Sequence, residues 1–298
     1  MTRRTFQSIL VVLPAAALLL AVCTRRRAED LPVTATVLTE PQQTIKGWGC
    51  YPSTFQTDRP TAENFHIFNR PNAQRLIFKE LGISFMRCNI LPNSYDAHKD
   101  DGSLNTRYLD ATLVRHLKIA RRYGMTKYLL TVWSPPAIFR DPPFTTGQDN
   151  KTGKVSVLKP DREDDYCRYV VKVLDYLTKK QRLAKPLAYS IQNEPDAPAS
   201  QWDGLAYDVA QWQRVVKMMR RTFDAGGYQD VPLIGPECSS YANSVGFVGG
   251  PDASALKNDN AFAAALAGFA YHGYISRTEP YPQQLRAVAQ IARGMGKD

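Results

Sequence analysis

The sequence predicts an α/β protein whose parallel strands curl into a TIM-type (β/α) barrel of about six βα units, with one isolated strand ahead of them. Three observations carry this. An apolar strand pattern followed by a helical one recurs six times along the chain. No Gly-x-Gly-x-x-Gly and no phosphate loop follows any of those strands, so a nucleotide-binding sheet has no positive support. Residues able to do chemistry, among them Arg87, Asn89, Trp133, Asn193, Glu194, Glu237, His272 and Tyr274, fall at or just after strand ends, where a barrel gathers its active site.

The chain has 298 residues, 44% of them apolar, enough to bury a large core. Residues 1 to 30 read as a signal peptide or amino-terminal anchor: Arg3 and Arg4, an apolar run from Ile9 to Val22, then Cys23. This predicts export, to an extracellular, periplasmic or cell-surface location. Leu20-Ala21-Val22-Cys23 resembles a lipoprotein cleavage box, while Arg25 to Arg27 would resist translocation, so lipid anchor, cleaved signal and uncleaved anchor all stay open. Any membrane contact is expected through this segment alone. Residues 31 to 298 are expected to form the partial barrel domain.

The formal charge is +10, and the five arginines and two acids of residues 1 to 30 account for +3 of it. The remaining +7 is spread over Arg115 to Lys127, Lys179 to Lys185 and Lys217 to Arg221, each on a helix with an apolar opposite face. Solvated helix surfaces account for these clusters better than a nucleic-acid footprint, and no nucleic-acid partner is expected. Cys50, Cys88, Cys167 and Cys238 are widely separated, without a Cys-x-x-Cys pair or a histidine at ligand spacing, so neither zinc nor any cofactor is expected.

Taken in order, Val33 to Leu38 alternates as an isolated strand, and Thr44 to Gly49 follows with glycines flanking Trp48. Asn72 to Leu81 has helical spacing and stops at Gly82. Ile83 to Ile90 is a strand; Arg107 to Tyr123 is an amphipathic helix closed by Gly124; Thr126 to Trp133 is a strand stopped by Ser134-Pro135-Pro136. Phe139 to Pro160, rich in Pro, Gly, Thr, Asp and Asn, is expected to be a long loop beside the site. Asp161 to Lys180 is a helix and Leu187 to Gln192 a strand. Trp202 to Gly226 is a helix and Val231 to Ile234 a short strand running into Gly235-Pro236-Glu237. Asn260 to Gly268 is a helix, Phe269 to Tyr274 a strand and Pro282 to Arg293 a helix.

Tyr189 to Asp196 is the chemical centre of the pattern. Tyr189 and Ile191 alternate with Ser190 and Gln192, and Pro195, which cannot donate to a ladder, leaves Asn193 and Glu194 at the strand's carboxyl end. Glu194 is the candidate acid. Trp133 offers a flat apolar face or core packing, Arg87 a hydrogen-bond donor or a buried ion pair, and His272 a binding group or a satisfied barrel histidine.

Six stretches in this order resemble glycoside hydrolase family 30. They are Gln43-Thr44-Ile45-Lys46-Gly47-Trp48-Gly49, Leu81-Gly82-Ile83 with Arg87, and Trp133-Ser134-Pro135-Pro136-Ala137. Ser190-Ile191-Gln192-Asn193-Glu194-Pro195, Gly235-Pro236-Glu237 and Tyr271-His272-Gly273-Tyr274 complete the set. The resemblance implies a retaining β-glycosidase acting on a carbohydrate, with Glu194 as general acid/base and Asn193 bonded to the sugar 2-hydroxyl. Arg87, Trp133, His272 and Tyr274 would bind substrate around them. It also implies that Val33 to Leu38 belongs to a small side β-sandwich and that the nucleophile is a second glutamate at the end of the seventh barrel strand. That strand lies past the six units read here, so the chain is expected to be truncated before the nucleophile, poorly soluble and without turnover unless another chain supplies the missing strands. Glu237 is expected at a turn after Pro236, as part of the site's support. The rival expectation is a non-catalytic carbohydrate-binding or degenerate glycosidase-like protein, which would keep Trp133, Arg87 and Tyr274 and need no second carboxylate.

Overall fold

The computed structural model describes residues 47–51, 70–90, 104–144, 146–199, 203–250, 253–274 and 281–296, all within the compact unit Lys46–Asp298. The expected targeting segment, the strand over Val33 to Leu38 and the first half of the strand over Thr44 to Gly49 lie outside the described residues; of the second half, Gly47 and Trp48 are not in a strand and Gly49 begins one.

Six parallel strands form one curled sheet, an incomplete (β/α) barrel. They are β1 (Gly49–Cys50), β2 (Phe85–Ile90), β3 (Tyr128–Val132), β6 (Ala188–Ser190), β7 (Leu233–Cys238) and β8 (Leu266–Tyr271), in the spatial order β1-β2-β3-β6-β7-β8. Sequential strands are neighbours, as crossovers through outer helices require. In β2, Met86, Cys88 and Ile90 are buried toward the helices, while Arg87 on the other face reaches across the barrel interior. That alternation places every second residue of a strand in the site.

The outer layer shows why its sequences are helical. In α5 (Val209–Ala225), Trp212, Val215, Val216, Met219 and Phe223 are fully buried at helical spacing, and the Asp208 side chain caps the first turn by accepting from the Gln211 amide at 2.7 Å. In α4 (Glu163–Asp175), three acids occupy the first turn, where the helix dipole favours negative charge. The two helices are tied where buried Glu163 accepts both arms of Arg214, at 2.9 and 2.7 Å, and the Gln211 amide at 3.0 Å. Earlier in the chain, α1 (Pro71–Arg75) runs on through a wider turn over Leu76–Glu80. Likewise α2 (Thr106–Leu109) continues through Asp110–Val114 into α3 (Arg115–Arg122).

Several expectations need correction. Phe139 to Pro160 is an ordered excursion, in which β4 (Arg140–Asp141) pairs antiparallel with β5 (Val157–Leu158) and Arg140 is completely buried. The helix expected from Trp202 begins at Val209, because Asp203 and Ala206 are held extended by bridges to Thr146 and Val157. Strand β7 does not stop at Ile234; it continues through Pro236 and Glu237 to Cys238. Strand β8 starts at Leu266, three residues before the expected Phe269. Three short helices follow β7: α6 (Tyr241–Phe247) and α7 (Ser254–Asn258), both unexpected, and α8 (Asn260–Ala265). The last helix, α9, covers Tyr281–Gly294.

Candidate active site

At the carboxyl end of the sheet, β6 and β7 finish side by side and each presents a glutamate. Glu194 has φ 48° and Glu237 φ 58°, the left-handed region that a residue with a Cβ enters only at a cost of about 1–3 kcal/mol. At Glu237 the reason is visible in the pairing. Pro236 is opposite Ala270 and Cys238 opposite Tyr271, so Glu237 is the extra residue of a β-bulge. A bulge re-aims a side chain, and here it turns the carboxylate into the barrel. The Glu194 N–H donates to the Glu237 carbonyl at 3.0 Å, so the two irregular positions are joined backbone to backbone.

Glu237 is buried and fully engaged. Arg87 donates Nε to Oε1 and Nη2 to Oε2, both at 3.2 Å, and the Thr131 hydroxyl donates to Oε2 at 3.0 Å. Burial alone would raise its pKa, but the Arg87 charge and hydrogen bonds outweigh burial and hold it below its ordinary value. Burial likewise works against the Arg87 charge and is outweighed by Glu237, which keeps the guanidinium firmly protonated. Arg87 Nη2 also donates to Asn193 Oδ1 at 2.7 Å, fixing that amide with its NH₂ turned away from the guanidinium. One arginine from β2 thus orients groups on both β6 and β7.

Glu194 is treated differently. Its Oε1 lies 2.7 Å from Nδ1 of His272, which follows β8. The Tyr274 phenol reaches the same carboxyl, and burial with the Glu194 charge pushes that phenol up. The imidazole and phenol rings meet edge to face, with centroids 5.4 Å apart. Glu194 and His272 are only 13% and 16% exposed, whereas Tyr274 is 63% exposed. This carboxyl therefore has polar neighbours but no arginine clamp of its own, and it borders open solvent.

Trp133 stands beyond the end of β3 and stacks on Tyr51 with centroids 6.2 Å apart and planes 13° from parallel. Tyr51, just after β1, also lies under the Arg87 guanidinium at 5.4 Å. All six residues singled out in the sequence, Arg87, Trp133, Asn193, Glu194, His272 and Tyr274, are thus at one end of the sheet and tied to one another directly or through Tyr51 and Glu237. Sequence reasoning missed Tyr51 as a member and misplaced Glu237 at a turn. The available signal was period: Tyr51 is two residues past Gly49, on the face that points inward. Among the described residues no cluster of His, Cys, Asp and Glu is arranged to hold a metal ion.

The fold is an incomplete (β/α) barrel with a cluster of polar and aromatic side chains at the carboxyl end of its sheet. Solved structures with this arrangement include a glycoside hydrolase family 30 subfamily 8 xylanase from Clostridium acetobutylicum, with TM-score 0.60 and 23% identity over 86% of this chain and 55% of that one. An endo-β1,6-glucanase matches with TM-score 0.62 and 17% identity over 85% of this chain and 56% of that one. A conserved exported protein from Bacteroides fragilis matches with TM-score 0.55 and 18% identity over 68% and 45% of the two chains. The fold is thus that of family 30 glycosidase structures, and the chain spans about half their length. No protein-family model matches the sequence, and no curated protein is similar to it.

Proposed function

We propose that this is an exported retaining β-glycosidase of the family 30 type, with Glu194 as its general acid/base and a poly- or oligosaccharide or glycoconjugate as substrate. The observation that carries the reading is the unequal treatment of two neighbouring glutamates. Glu237 is locked as a carboxylate by Arg87, whereas the 13%-exposed Glu194 is met by His272 and Tyr274 and, among the described residues, has no arginine bonded to it. Protonating a leaving oxygen and later activating water is work for the carboxyl that no arginine engages, while the arginine-held one stays a carboxylate. In this reading Glu194 gives its proton to the glycosidic oxygen and then takes one from water. The Asn193 amide meets the sugar 2-hydroxyl, Trp133 stacks on a ring, and Arg87 holds Asn193 and Glu237.

A retaining reaction also needs a carboxylate that attacks the anomeric carbon. Both oxygens of Glu237 are occupied, so we assign it to orientation and place the nucleophile on further strands that pair with the open sheet edge, from this polypeptide or a second chain. The amino-terminal Arg3 to Cys23 pattern and the likeness to an exported protein favour export.

The decisive measurement compares Glu194→Gln with wild type, each assayed together with the strands that carry the nucleophile, on aryl β-glycosides of graded leaving-group ability. Loss of at least about 10²-fold in kcat/KM on poor leaving groups, with little loss in kcat/KM on good ones, is expected. Equal hydrolysis by both proteins refutes the role of Glu194. The non-catalytic reading is favoured by the committed state of Glu237. It predicts calorimetric binding of β-linked oligosaccharides, abolished by Trp133→Ala, with no hydrolysis under any condition.

A further inference from the structure

Asp196, two residues past the candidate acid and outside the cluster that would touch substrate, accepts three directed hydrogen bonds. Its Oδ1 accepts the Ser239 backbone N–H at 2.9 Å. Its Oδ2 accepts the Ser239 hydroxyl at 2.7 Å and the Asn243 side-chain amide at 2.6 Å. All three donors come from the segment that follows Glu237. That segment is itself rigid, because Ser240 caps α6 by accepting the Asn243 N–H at 3.2 Å, which fixes the residue whose side chain reaches back to Asp196. The buried Cys238 thiol lies against the same carboxylate and is pushed up by burial and by that charge.

The location gives the contact its meaning. Glu194 and Glu237 both hold left-handed backbone, and such positions persist only where surrounding structure over-determines them. The Glu194 N–H to Glu237 carbonyl bond crosses from β6 to β7 just before the two chains diverge, and the Ala197 N–H closes the turn onto the Glu194 carbonyl at 3.1 Å. The Asp196 bonds cross the same gap one step further on. Without them the turn Glu194 to Ala197 has a single backbone bond to β7, and the Glu194 carboxyl can rotate away from His272.

We propose that Asp196 is a positioning residue, a latch that clips the turn carrying Glu194 to the segment following Glu237 and so holds the acid in its productive orientation. The inference rests on the assignment of Glu194 as acid/base for its catalytic consequence, though not for the latch itself. It differs from a stability contact in being local: the bonds join the turn after Glu194 to Ser239 and to Asn243 in the first turn of α6, and touch none of the large core side chains of α4 or α5.

The test uses the full 298-residue chain and reads amide hydrogen exchange at single residues. Asp196→Ala is expected to speed exchange of the Glu194 amide about tenfold or more, with Val170 and Trp212 in the buried helices within about twofold of wild type. Asp196→Asn keeps one oxygen able to accept from Ser239 and should recover part of the protection. Ser239→Ala with Asn243→Ala removes two of the three donors without touching Asp196, and should loosen Glu194 even if Asp196→Ala fails to fold. An unchanged Glu194 amide, or a uniform rise that includes α4 and α5, overturns the latch. Where hydrolysis is measured, Asp196→Ala should lower kcat by about 10–100-fold with KM within about threefold, the mark of a misplaced group rather than lost binding. Full activity of Glu194→Gln would remove the catalytic reading while leaving the exchange result standing, so the two failures are separable.

Discussion

Arg87 is the residue on which the site's charge balance turns. Removing it leaves Glu237 buried with only hydroxyl donors, Thr131 and Ser190, and breaking a buried pair in this way costs about 3–5 kcal/mol. Arg87→Ala should therefore lower the denaturation midpoint sharply, and Arg87→Lys should recover only part, since an ammonium cannot donate the two-pronged contact that also reaches Asn193. The double variant Arg87→Ala with Glu237→Gln should be more stable than Arg87→Ala alone; denaturant titration of the four proteins checks this. The pH dependence follows from the same pair. Because Glu237 is held below its ordinary 4.5 in the folded protein, the unfolded chain binds the proton more readily. Its contribution is thus fully present above about pH 4.5 and is lost as the pH falls through the depressed folded value. Melts between pH 7 and pH 3 should show this loss in wild type and lack it in Glu237→Gln. Much of the site was legible residue by residue, because Pro195 marks a strand end and Asn193 and Glu194 sit just before it. The bulge at Glu237 was not, since nothing in Gly235-Pro236-Glu237 announces that the ladder resumes after the proline.

Elements meet closely where α5 crosses β7. A Cβ on Gly235 would come within 2.7 Å of Cζ2 of Trp212, a fully buried indole with no room to move. Gly235→Ala should cost about 1–3 kcal/mol through overpacking, and because Glu237 lies two residues on, it should also disturb the Arg87 contact. Gly246 is the control: it lies within α6, has ordinary backbone geometry, and a Cβ there meets nothing within 4 Å. Gly246→Ala should stabilise by about 0.4–1 kcal/mol, and paired thermal melts of the two variants decide the matter. At this scale the sequence was readable where a long period repeats, as in α4 and α5. It was unreadable where length or partners decide. Helices α6 and α7 are too short to show a period, the helix-favouring alanines run on through Ala267 into β8 and hide where the strand starts, and Asp203 to Tyr207 is extended because of its bridges to Thr146 and Val157.

The whole molecule is an open sheet with a net positive charge, and the two properties oppose each other. Among the described residues β1 and β8 each pair on one side only, and β8 is half-exposed along most of its length. Unpaired parallel edges invite further strands, whether from this chain, a partner or a second copy. The formal charge of +10 works against self-association through long-range repulsion, a force that salt screens within about 8 Å at physiological ionic strength. Edge pairing is short-ranged and unscreened. Sedimentation velocity should therefore find the chain more associated in high salt than in low salt, the reverse of what charge-driven assembly would show. A charge placed on the edge tests the route directly. Ala267 lies on β8 beside a cleft lined by Lys217, Arg220, Arg221, Asp224 and Asp230, and Ala267→Glu puts a charge on the edge. It should return the protein toward monomer at high salt with little change in melting temperature. Persistence of the salt-induced species in Ala267→Glu would move the contact away from β8.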